Sequence, residues 1–139
     1  MILPEARTAI NKTMSRMNAL YGKTVFDEWV LVVVARERGG ILSSYSGPRA
    51  EHYERNFKAD IQPLRAELAR HKMAVGEFVF AQDGFGPKFD ACIRVGASSY
   101  LFCNNTAMSI SEIREKPLWL AAQKPFADLS AKFRADPLE

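Results

Sequence analysis

The chain has 139 residues, 47% of them hydrophobic and 25% charged, with a formal net charge of +3 and a pI near 9.0. That length suits one domain, residues 1–139, with an ordinary core, and 19 Lys and Arg interspersed among 16 Asp and Glu do not make a nucleic-acid-binding tract. No apolar run approaches the ~20 residues that span a bilayer, and residues 1–12 lack the basic start and apolar stretch of a signal peptide, so a cytoplasmic setting without a transmembrane segment is expected.

In chain order, residues 4–21 read as a helix, with Pro4 near its first position and Ala6, Ile10, Met14, Met17 and Leu20 or Tyr21 at helical spacing. Gly22 is a C′ stop. Residues 29–35 are an almost unbroken apolar, β-branched run, which suits a strand covered on both faces and placed centrally in a sheet. Arg36-Glu37-Arg38 and Gly39-Gly40 then turn the chain into a second strand that resumes at Ile41 and Leu42.

Ser46-Gly47-Pro48 ends this hairpin and opens a second helical segment. Its apolar stripe is Tyr53, Phe57, Ile61, Leu64 and Leu68, its other face is basic, and Pro63 is expected to kink or break it at 60–63. Three strands follow, at 75–82, 89–95 and 99–104, joined by the Gly-rich turn 83–87 and by Gly96-Ala97-Ser98. Ser109 and Glu112 have capping-box spacing, and Pro117 and Pro125 are expected to divide the remaining chain into helical pieces at 110–123 and 125–134.

The expected fold class is therefore α+β, with a single five-stranded antiparallel sheet in the order α-β-β-α-β-β-β-α and helices on both faces. In this order of elements the chain resembles the roadblock/LC7 family of the profilin-like group. VVVARERGGILSSYSG resembles that family's first hairpin, and FVFAQDGFGPKFDACIRVGASSYLFCNN resembles its three-strand meander. The proline-interrupted second helix and the longer C-terminal segment depart from its simplest members. The resemblance implies a non-enzymatic homodimer that associates through the second helix and third strand, with a small Ras-like GTPase or another protein as partner.

The expected interface accordingly comprises Tyr53, Phe57, Ile61 and Leu64 on the helix and Phe78, Val79 and Phe80 on the strand, the last three forming an apolar edge that invites pairing. No chemistry competes with this expectation. His52 and His71 have no metal-ligand spacing, Cys92 and Cys103 form no CxxC, and neither glycine pair precedes a helix as a phosphate loop would. No catalytic residue, metal or cofactor is expected. Cys92 and Cys103 fall opposite each other if the turn centres on 96–99, and reduced thiols are expected in a cytoplasmic protein. Two alternatives stand beside the interaction module. One is a PAS- or GAF-like ligand sensor with a cavity lined by Trp29, Phe78, Phe80 and Phe102; the other is a small dimeric secretion-type chaperone.

Overall fold

The computed structural model describes residues 4–35, 42–46, 51, 68–80, 90–104, 108–115 and 117–135. Helix α1 spans Pro4–Tyr21 and buries Ala6, Ala9, Ile10, Thr13, Met14 and Met17, a stripe set by the three- and four-residue spacing of its apolar side chains. It stops where expected: Gly22 adopts φ +67, and the Asn18 side chain accepts a hydrogen bond from the Val25 N–H at 2.9 Å, closing the turn beyond the helix.

Among the described residues five strands follow: β1 (Glu28–Ala35), β2 (Leu42–Ser46), β3 (Phe78–Phe80), β4 (Ala91–Arg94) and β5 (Ser99–Asn104). All pairs are antiparallel, and the sheet order is β2-β1-β5-β4-β3. Two helices close the chain, α2 (Ile110–Ile113) and α3 (Leu118–Ala135).

Along β1 the apolar run splits by alternation. Trp29 and Leu31 enter a core shared with α1 and α3, whereas Val30 and Val32 enter a second cluster on the opposite face with Met73, Val79, Cys92 and Phe102. Trp29, Val30, Leu31 and Val32 are all buried, which is why the sequence shows a continuous apolar run there and not an alternating one. Helix α3 supplies Ala122, Phe126, Leu129 and Phe133 to the first core, and Leu68, in a helical turn ending at His71, packs against the second.

The expected architecture needs correction on several points. The α-β-β-α-β-β-β-α order does not hold as written, because β5 is followed by two separate helices, and these are Ile110–Ile113 and Leu118–Ala135 rather than pieces at 110–123 and 125–134. The three C-terminal strands are not equal either. The strands β2, β1, β5 and β4 form the body of the sheet, and β3, at its edge, begins at Phe78 and not at 75; residues 81 and 82 of the expected strand lie outside the described residues. The reason is local: Gly76 sits at φ +91, the Glu77 N–H donates to the Ala74 carbonyl at 3.0 Å, and the Ala74 N–H donates to Glu77 Oε2 at 2.8 Å, so residues 74–77 are spent on a turn.

The central strand is β5, with β1 between it and β2. Finally, Pro117 does interrupt the C-terminal helical region, but Pro125 lies inside α3. A proline there costs about 3 kcal/mol, and burial of Phe126, Leu129 and Phe133 at about 1.5–3 kcal/mol for each large side chain outweighs it.

The β4–β5 hairpin corrects the cysteine register. The Val95 N–H donates to the Ser99 carbonyl at 3.0 Å, so the loop is residues 96–98, and the pairing becomes Cys92 with Phe102 and Ala91 with Cys103. Cys92 and Cys103 are therefore one residue out of register and face opposite sides of the sheet, each in a different core cluster. Both are free thiols.

Candidate interaction surfaces

The outer edge of β3 is the first surface the fold presents. Arg94 N–H donates to the Glu77 carbonyl at 3.2 Å, so that carbonyl and, by alternation, the backbone groups of Val79 point toward β4. Those of Phe78 and Phe80 then point away from β4, and among the described residues no strand pairs with them. The segment leading into this edge is held firmly. The Arg94 guanidinium donates to the carbonyls of Met73 (2.7 Å), Ala97 (2.8 Å) and Gly96 (3.3 Å) and lies 5.7 Å from the centre of the Tyr100 ring. One side chain thus ties the β4–β5 turn to the approach to β3.

The side chains of β3 behave differently from its backbone. Phe80 is buried and Phe78 half-buried, and both lie on the α1/α3 side of the sheet. Phe78 packs on Phe126 (ring centroids 4.8 Å apart), on Trp119 (5.2 Å, edge-on) and on Phe26 (6.3 Å). Phe80 meets Trp119 at 5.1 Å, and the Arg114 guanidinium sits 5.0 Å from its centre. Val79 is buried in the opposite cluster. These three residues therefore lie on an edge strand as expected, but their side chains are packed within the chain, so the edge offers hydrogen-bonding groups more than apolar surface. Tyr53, Phe57, Ile61 and Leu64 lie outside the described residues.

Sequence reasoning missed the partner of that aromatic cluster. Trp119, Ala122, Phe126, Leu129 and Phe133 recur at intervals of three and four, a helical stripe visible in the sequence once Pro125 is allowed inside the helix. Dividing the helix at Pro125 concealed it.

The second surface is the outer side of the helical layer. Arg16, Ala19 and Leu20 of α1 and Ala121, Lys124 and Pro125 of α3 line a groove of about 460 Å³. Asp128 accepts from Arg16 at 2.8 Å and from Lys124 at 3.1 Å, bridging the two helices at one end. These hydrogen bonds hold the Asp128 carboxyl below its ordinary range. Leu20, in the groove wall, is exposed, as are Leu118 and Leu120 in the first turn of α3.

At the other end, the Tyr21 hydroxyl donates to the Ile113 carbonyl, and Lys23 meets Glu112 at 3.5 Å. The capping box at α2 forms as expected, Ser109 accepting from the Glu112 N–H at 3.1 Å and the Ser109 N–H donating to Glu112 Oε1 at 3.2 Å. The bond from the Ser109 backbone is the main reason the Glu112 carboxyl lies below its usual range, followed by the Ser109 hydroxyl and the nearby Lys23 charge.

The thiols of the described residues are part of the core. Burial pushes both thiols well up, Cys103 further through the Asp90 charge, so each stays a protonated core side chain. No cluster of three or more His, Cys, Asp or Glu able to hold a metal occurs among the described residues. Among these residues no helix is long and apolar enough to cross a membrane. The four aromatics of a sensor cavity do not converge: Phe102 lies on the sheet face opposite Trp29, Phe78 and Phe80. No family model, no curated protein and no solved structure matches this chain.

Proposed function

We propose that the chain is a non-enzymatic interaction module of roadblock/LC7-like type that forms a homodimer through the β3 edge and works in the cytoplasm as a platform for a protein partner. The observation that supports this is the position of β3 as the terminal strand among the described residues, with the backbone groups of Phe78 and Phe80 on its outer side. Such an edge is a template for another strand unless it is blunted, and β3 itself contains no Lys, no Pro and no bulge that would do so.

A two-fold related copy closes both edges at once, since antiparallel pairing of one strand with itself satisfies the same groups on each chain. The aromatic packing of Phe78 and Phe80 on α3 holds the strand in place before association, which lowers the ordering cost of pairing. A small Ras-like GTPase is the partner class that the family resemblance implies. The division of Trp29 and Phe102 between opposite sheet faces weighs against a ligand sensor.

Size-exclusion chromatography with light scattering tests association. A mass of about 31 kDa, twice the 15.6 kDa chain, is expected at micromolar concentration. A monomer across that range refutes the homodimer, and a monomer that captures an extended unfolded segment along β3 assigns the chain to the chaperone class instead.

A further inference from the structure

We infer that the groove between α1 and α3 is a docking site for an acidic amphipathic helix of another protein. This surface lies on the outer side of the helical layer, and the inference stands whether or not the chain dimerises through β3.

The shape argument comes first. Arg16, Ala19 and Leu20 are spaced i, i+3, i+4 on α1, and Ala121, Lys124 and Pro125 repeat that spacing on α3. Two such ridges side by side leave the channel into which the apolar stripe of a third helix packs. Ala19 and Ala121 keep it open, while Leu20 offers exposed apolar contact. Pro125 has no N–H to donate to the carbonyl of Ala121, so the hydrogen-bond ladder of α3 is interrupted at the groove wall.

Charge then selects the occupant. Within α1 and α3 the cationic residues are Arg7, Lys12, Arg16, Lys124, Lys132 and Arg134, against Glu5 and Asp128 alone. The layer's excess of four positive charges exceeds the +3 of the whole chain, so basicity is concentrated here while the rest is slightly acidic. At the groove itself two cations share the single carboxylate of Asp128. An occupant with Glu or Asp flanking a leucine stripe meets both features; a basic helix meets only the apolar one.

The probe is a fluorescein-labelled synthetic peptide of ~18 residues, about five turns, with Leu at i, i+3, i+4 and i+7 and Glu on both flanks. Its controls are the same peptide with every Glu replaced by Lys and a scrambled peptide of identical composition, read by anisotropy against the full chain. The acidic peptide is expected to bind with a Kd of roughly 1–100 µM, at least about tenfold tighter than either control. Ala121→Glu, which fills and acidifies the groove, and Lys124→Glu, which reverses its rim, are each expected to weaken binding by about tenfold or more. Both positions are exposed, and unchanged circular dichroism shows that the fold persists.

Equal affinity for the acidic and basic peptides, binding unaffected by either variant, or no binding in this range overturns the inference. Anionic phosphatidylglycerol vesicles provide the remaining arm: vesicle binding lost in Lys124→Glu without peptide binding assigns the basic layer to a lipid surface and also overturns it.

Discussion

Phe126→Ala is the sharpest probe of how the edge strand is held. Phe126 is 3% exposed, and its ring meets Phe78 at 4.8 Å with an interplanar angle of 69°, the edge-to-face arrangement aromatic rings prefer. It lies midway along the α3 stripe between Ala122 and Leu129, so truncation opens a cavity that rigid neighbours on the sheet cannot refill. Large-to-small changes of this kind cost about 3–5 kcal/mol, a substantial part of a total of roughly 5–15. About 0.5–1.5 kcal/mol of that belongs to the aromatic pair itself.

Urea unfolding followed by Trp fluorescence measures the total, and the melting temperature should fall by about 9–15 °C for a domain of this size. A double-mutant cycle with Phe78→Ala isolates the pair, and a coupling of about 0.5–1.5 kcal/mol is expected. A loss below about 1.5 kcal/mol, or a coupling indistinguishable from zero, refutes the claim that α3 clamps β3 to the sheet.

Ser109→Ala removes the side-chain acceptor of the α2 capping box and should cost about 1 kcal/mol in the same assay; no change would show that the cap does not support the fold. Glu112 and Asp128 both have carboxyls lowered in the folded state, so their stabilising effect is present above the unfolded carboxylate range and is lost as pH falls through the folded values. Stability should therefore drop below about pH 4, less steeply in Asp128→Asn than in the parent; identical slopes would contradict the bridge to Arg16 and Lys124. Thiol titration should give two free groups per chain in denaturant and almost none in the native state, because Cys92 and Cys103 are fully buried; rapid native labelling would contradict that packing.

How much of this was legible in the sequence depended on whether the signal was local. Helix α1, its Gly22 stop, the Ser109 capping box and the two-sided burial of β1 each rest on a few neighbouring residues, and the structure follows them. The errors arose where tertiary packing outweighs a local rule. Pro125 reads as a break, but the Trp119–Phe126–Phe133 stripe holds α3 together through it. The strand expected to begin at 75 begins at Phe78 because Gly76 and Glu77 form a turn that sequence periodicity does not encode. A loop of 96–98 places Cys92 and Cys103 on opposite faces, since a one-residue error in register inverts every side chain. Phe78 and Phe80 look like open edge surface in the sequence because nothing local shows that Trp119 and Phe126, some forty residues on, cover them.

Amide hydrogen exchange at Phe78 and Phe80, followed as the chain is diluted, tests the β3 edge most directly. These two N–H groups point away from β4, whereas that of Val79 points toward it, so Val79 reports the intact sheet while its neighbours report the partner. The account predicts protection at Phe78 and Phe80 in the dimer that disappears on dilution, with Val79 protected throughout. Fast exchange at Phe78 and Phe80 at every concentration, beside a protected Val79 and a mass that remains 15.6 kDa, would contradict it.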